Sequence, residues 1–265
     1  MATTTEDKAQ YDGVATSYNS YDELPMARLE AELIRTALGD CTSLRILDLG
    51  GGTGTHARQA IAAGAVLVDV ADISEGMMAE GKKMEAQTGR LPDGGEIRWH
   101  VADAAKPLAE QEGASGVLGA GQYDVVMANW VFDHAGTVED LTGMWQNIVT
   151  GLKKGGRFVG IRVIGPGIYA KHVALGTYGC KYEDIETIPN GFKCKVTLMT
   201  SPPFSFSGAA LEDSYDMINN IPKELGMTDF QTVPTEDAEI VKKDPAFWKE
   251  HLDAPLFAVV TATKA

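Results

Sequence analysis

Apolar residues come as short runs that alternate with helical stripes, and this rhythm is regular over the first 163 residues. Residues 1–10 are polar and read as a frayed end. Leu29, Leu33, Ile34, Ala37 and Leu38 recur at helical spacing, and Gly39 stops that run. Residues 45–49 form an apolar strand that feeds a glycine cluster and then an Ala-rich helix over 55–63. A second strand over 65–71 ends at Asp72, and Ser74 is placed to cap a helix reaching residue 87. Residues 97–101 alternate as a third strand, 104–121 carry a weak helical pattern, and 123–128 read as a fourth strand. Thr137 and Asp140 make a capping box for a helix striped by Leu141, Met144, Trp145, Ile148 and Leu152. Lys153 and Lys154 suit its last turn, Gly155 and Gly156 end it, and 157–163 is the fifth strand.

Strands alternating with helices at this spacing predict an α/β fold, a parallel, doubly wound Rossmann-like sheet. The rhythm breaks after Ile164. Residues 193–199 alternate as one strand of a hairpin or lid, 211–225 read as a helix, 229–233 as a strand, 244–252 as a short helix and 256–263 as a final strand. Without repeats or linkers, the expectation is one domain over 1–265. It comprises an N-terminal flap and helix over 1–40, a core over 41–164, and a lid with C-terminal strands over 165–265.

Composition narrows the partners. The chain has 265 residues, 44% of them hydrophobic, and a formal net charge of −14, which disfavours nucleic acid and anionic membranes. Three cysteines without C-x-x-C spacing suggest neither a disulfide framework nor a zinc cage, and no metal site is expected. The N-terminus lacks a basic stretch followed by an apolar one, and no run reaches membrane-spanning length, so a cytoplasmic protein is expected.

The chemistry concentrates at Asp48-Leu49-Gly50-Gly51-Gly52-Thr53-Gly54. A dinucleotide G-x-G-x-x-G turn needs a third glycine where Thr55 stands, which counts against a nicotinamide-dependent oxidoreductase. The register is D-x-G-x-G-x-G, and here the chain resembles the class I S-adenosylmethionine-dependent methyltransferases. Asp72 closes the second strand, where an acid takes ribose hydroxyls, and Asp103 follows the third. The Asp-Ile-Ser-Glu-Gly-Met run from Asp72, Tyr11-Asp12 with Ala15 and Tyr18, and Leu-Lys-Lys-Gly-Gly-Arg-Phe at 152–158 resemble a small-molecule branch. That branch holds ubiquinone/menaquinone-type and secondary-metabolite tailoring methyltransferases, and the motifs cover residues 11–163.

The resemblance implies a seven-stranded sheet with a lid inserted after strand five, and S-adenosylmethionine as cofactor. Its implied contacts are Tyr11, Tyr18, Asp48, Gly50, Gly51, Gly52, Gly54, Asp72, Ile73, Met77, Asp103, Ala104 and Asn129. The residue-level alternatives stay open: Asp48 as a cap on the glycine turn, Asp103 as a surface N-cap, the tyrosines as packing. His134, after the fourth strand, is the candidate base, or a histidine that orients its loop. Trp130, Phe132 and Asp133 are candidate acceptor walls, Trp130 and Phe132 equally candidates for the core, with Tyr178, Tyr182, His172 and His251 in the expected lid. The expected activity is methyl transfer to a small-molecule acceptor, with oxygen favoured. The alternative is a cofactor-binding relative that runs a pericyclic or isomerising step or serves as a partner subunit.

Overall fold

The computed structural model describes residues 4–88, 94–112, 114, 118–212 and 220–265. The strands β1 (Arg45–Leu49), β2 (Leu67–Asp72), β3 (Glu96–Val101), β4 (Tyr123–Asn129) and β5 (Leu152–Val163) pair in parallel. Then β6 (Cys180–Ile188), β7 (Gly191–Leu198) and β8 (Phe204–Leu211) form a separate antiparallel sheet. Finally β9 (Met227–Thr232) and β10 (Phe257–Lys264) return to the first sheet, whose order is β3-β2-β1-β4-β5-β10-β9. Strand β10 is antiparallel to both of its neighbours. The order reverses direction between β1 and β4, which is where an open α/β sheet leaves a crevice at its carboxyl end.

Alternate side chains of the strands feed two cores. Ile46, Val68, Val70, Met127 and Val159 pack with α2 (Pro25–Leu38) and α3 (Thr55–Ala62) on one side. Leu47, Leu49, Val126, Ala128 and Phe158 pack with α5 (Val138–Gly151) on the other. Leu29, Ile34 and Leu38 of α2 are fully buried, each worth about 1.5–3 kcal/mol of transfer free energy. The inserted sheet joins the first core through Tyr182, Cys194, Val196 and Leu198.

Several boundaries differ from the sequence reading. Residues expected to fray form α1 (Thr4–Val14). The helix expected to end at Lys153–Gly156 stops at Gly151, and β5 begins at Leu152 with an irregular register opposite β4. Among the described residues of 104–121 the only helical piece is a 3-10 turn, Leu108–Glu110. Of the helix expected over 211–225, Leu211 belongs to β8, 213–219 lie outside the described residues, and Asn220–Glu224 is helical.

Candidate active site

The glycine turn is built by close approach. Gly50, Gly52 and Gly54 have φ of +70°, +54° and +74°, a region that L side chains avoid. The Gly50 N–H donates to the Ala71 carbonyl at 2.7 Å, which extends the sheet into the turn. A Cβ on Gly51 would lie 2.7 Å from the Asp48 carboxyl carbon, and one on Gly50 2.7 Å from the Val131 side chain. Gly54 starts α3 with its back to Trp99, where a Cβ would meet the indole at 2.6 Å.

A cavity opens above this turn at the carboxyl ends of β1, β2 and β4. Gly50, Gly51, Gly52, Asp48, Asp72, Ile73, Met77, Ala104 and Asn129 all line it, as do Tyr11 and Tyr18. Asp48 is 1% exposed, and among the described residues neither carboxyl oxygen makes a hydrogen bond of normal geometry. Burial, with Asp72 nearby, pushes its pKa up to about 7 against weaker opposing pulls from Arg58 and the Ala57 N–H. Asn129 is also buried, and among the described residues neither atom of its amide has a partner. Buried orphans are costly unless something satisfies them, so this pair is shaped for a polar ligand. Asp72 accepts the Gly52 and Ser74 N–H groups, both at 2.8 Å, and burial raises its pKa despite them.

Asp103 is not on the cavity wall. Its carboxylate accepts the Ala105 N–H at 2.9 Å and its own N–H donates to Gln111 at 2.8 Å, so it shapes the turn that presents Ala102 and Ala104. The helix α4 (Glu75–Thr88) is capped as expected, its Met77 N–H donating to the Ser74 hydroxyl at 3.1 Å.

Opposite the glycine turn, Trp130 leaves β4 with φ +62°, a left-handed conformation that a bulky residue rarely takes. It starts the 3-10 turn Val131–His134, which aims Asp133 and His134 at the cavity. His134 Nε2 shares a 2.9 Å hydrogen bond with the Tyr11 hydroxyl. Burial pushes Asp133 up to about 7, with His134 and Arg162 pulling it back, and its carboxyl makes no hydrogen bond or ion pair among the described residues.

Two acceptor candidates are corrected. Phe132 is 1% exposed and stacks on Trp145 at 5.0 Å, inside the second core. Tyr178 stacks on Trp248 at 4.8 Å and donates to the Phe247 carbonyl, in a buried cluster with His172 and His251. None of these four lines the cavity, because each faces away from it into packed side chains. Trp130, Asp133 and Tyr182 do line it.

The sequence reading missed Glu30. It sits on α2 four residues after Met26 and three before Leu33, a charge inside the apolar stripe, and that position was its signal. Its Oε2 accepts the Tyr21 hydroxyl at 2.6 Å and the Trp130 indole N–H at 3.1 Å, whereas Oε1 has no partner among the described residues. Fully buried on the cavity wall, it is pushed up to about 7 by desolvation. The roof, also missed, comes from the inserted sheet: Cys180, Cys194, Val196, Leu198 and Phe206.

The seven-stranded sheet order is that of the class I S-adenosylmethionine-dependent methyltransferase fold, and the chain is built on that fold. Residues 47–158 match the family model described as a methyltransferase domain. No curated protein matches the sequence. Among solved structures, an S-adenosylmethionine-dependent methyltransferase from Mesorhizobium loti is 21% identical, with a TM-score of 0.57 over 89% of this chain and 100% of that one. The glycopeptide N-methyltransferase MtfA is 14% identical, TM-score 0.56, covering 89% of each chain. The [4+2]-cyclase SpnF is 16% identical, TM-score 0.58, covering 99% of this chain and 96% of that one.

Proposed function

We propose that the protein transfers a methyl group from S-adenosylmethionine to a hydroxyl of a small molecule. The observation that carries this is the pair of orphaned buried groups, Asp48 and Asn129, beside a turn that a single Cβ at Gly51 would fill. Their chemistry fits the cofactor: a carboxylate and an amide for its amino-acid end, and Asp72 for ribose hydroxyls, with Ile73, Met77 and Ala104 as apolar walls. When bound, the cofactor supplies an activated methyl on a sulfonium. The remaining work belongs to the chain. The inserted sheet and the tyrosines of the N-terminal segment exclude water, and the cavity walls hold the acceptor in line. His134, held by Tyr11, takes the hydroxyl proton as the new bond forms.

Three consecutive residues of α1 support a closed arrangement. Gln10 exchanges hydrogen bonds with Ser207 of β8, Tyr11 reaches His134, and Asp12 accepts the Ser74 hydroxyl and the Gly76 N–H. One helical turn thus ties the roof, the candidate base and the start of α4 together.

The likeness to SpnF keeps a non-methylating cyclisation as the second reading. Calorimetry with S-adenosylhomocysteine tests cofactor use. Wild type binds, and Asp72→Ala binds about 10- to 100-fold more weakly, the size of hydrogen bonds to a charged group. Absence of binding by wild type would sink the proposal. A methyl-sized mass gain across a panel of hydroxylated metabolites separates transfer from cyclisation.

A further inference from the structure

The cavity wall carries four carboxylic acids, Glu30, Asp48, Asp72 and Asp133, and no lysine or arginine among the described residues. The cofactor accounts for two of them, Asp48 and Asp72. Glu30 and Asp133 stand apart from the glycine turn, on α2 and on the turn after β4. Glu30 accepts the Trp130 indole N–H at 3.1 Å and the Asp133 N–H donates to the Trp130 carbonyl at 3.2 Å, so both acids flank Trp130 on a wall shared with Cys180 and Tyr182 of the inserted sheet. Around them the walls are Met26, Cys194, Val196, Leu198 and Phe206.

Neither acid is fully satisfied among the described residues. Glu30 is 0% exposed and its Oε1 has no partner, while Oε2 is anchored by Tyr21 and Trp130. The Asp133 carboxyl has no side-chain hydrogen bond and no ion pair among the described residues, only the fields of His134 and Arg162. A carboxylate or phosphate on the acceptor would be repelled here. A neutral hydroxyl supplies no counter-charge to the ionised form of Asp133, which burial disfavours. An ammonium group supplies both charge and donors, and the apolar roof covers the body attached to it.

We propose that the acceptor is an apolar molecule bearing a basic nitrogen, and that Asp133, backed by Glu30, receives that nitrogen. Calling the bound amine an acceptor rests on the methyl-transfer reading; the amine site itself does not. In this arrangement the nitrogen anchors the molecule, and His134, next in the chain to Asp133, faces the atom to be methylated.

The experiment is calorimetry on the full chain saturated with S-adenosylhomocysteine. The probes are two matched pairs, tryptamine with tryptophol and phenethylamine with phenethyl alcohol. The amines are expected to bind at least about ten-fold more tightly than the alcohols. Asp133→Asn should abolish that preference while S-adenosylhomocysteine affinity stays, Asp133→Glu should keep it, and Glu30→Gln should reduce it. Equal binding of amine and alcohol, no binding of either amine, or a preference surviving in Asp133→Asn would overturn the inference. So would a loss of S-adenosylhomocysteine affinity in folded Asp133→Asn, because that acid would then belong to the cofactor. Wild-type protein that binds neither amine but does bind S-adenosylhomocysteine defeats this inference alone. Failure to bind S-adenosylhomocysteine defeats the methyl-transfer reading instead.

Discussion

The hydrogen bond between Tyr11 and His134 joins residues 123 positions apart, and two roles for it can be told apart by kinetics. A base that takes a proton in the transition state contributes typically about 10²–10⁴ in rate. His134→Ala is therefore expected to lower kcat at least about 100-fold, with a much smaller effect on S-adenosylhomocysteine affinity, because its 2.9 Å hydrogen bond goes to Tyr11 and not to the glycine turn. Tyr11→Phe keeps the ring against Phe206, 5.4 Å away, and removes only the hydroxyl, so a smaller kcat loss is expected. Full turnover by His134→Ala would make the histidine a loop-orienting residue. At this scale the sequence spoke most clearly where chemistry and chain position coincide, as at Asp48, Asp72 and the glycines. It was silent on which way a side chain faces. Phe132 and Asp133 are neighbours, yet one is stacked in a core and the other turned to the cavity, a choice made by Trp145 and Phe158 from other elements.

Elements were legible where local pattern and tertiary partner agree, as along β1 to β4, and illegible where a distant residue sets the boundary. The end of α5 shows this. Its last carbonyls, at Val149, and that of Leu152 accept from the Lys264 ammonium on β10, so no local Lys-Lys-Gly cap is needed and the chain turns straight into β5. In β6 the alternation is hidden by a register shift between Glu183 and Glu186, where Asp184 has φ +51°. Helix propensity and packing also disagree at Gly81 in α4, and magnitudes decide. Alanine gains about 1 kcal/mol over glycine in a helix interior. Here its Cβ would run into the Trp99 indole and lie 2.6 Å from the Thr53 carbonyl oxygen, in the glycine turn itself. Overpacking against backbone costs about 1–3 kcal/mol. Gly81→Ala is expected to lower the thermal midpoint by a few degrees and weaken S-adenosylhomocysteine, measured by melting and calorimetry. A rise in the midpoint would show that the turn and α4 move apart easily.

At the scale of the whole molecule, buried ionisable groups make stability depend on pH with a definite sign. Burial raises Glu30, Asp48 and Asp133 to about 7, and Asp72 shifts the same way. In the unfolded chain these carboxyls ionise near 4. Between about 4 and 7 the folded protein thus holds more protons, and its stability falls as pH rises, by up to roughly 4 kcal/mol for each such group taken alone. His172 and His251 act oppositely, burial lowering His251 to about 4, so their stabilisation is lost as pH falls below about 6.5. The carboxyls outnumber the imidazoles, and above pH 6.5 the imidazoles no longer contribute any slope. The ligand-free protein is therefore expected to melt at a lower temperature at pH 8 than at pH 5. The net charge of −14 pushes in the same direction through surface repulsion, so a variant must isolate the buried part. Glu30→Gln supplies it, since the amide keeps an acceptor for Tyr21 and Trp130 and cannot ionise. Its midpoint should exceed that of wild type at pH 8, and the gap should close or reverse at pH 5. S-adenosylhomocysteine should raise the midpoint more at pH 8 than at pH 5, because its ammonium then meets an ionised Asp48. A wild-type midpoint that rises from pH 5 to pH 8, with no added benefit of Glu30→Gln at pH 8, would mean that water or a counter-ion already satisfies these acids in the free protein.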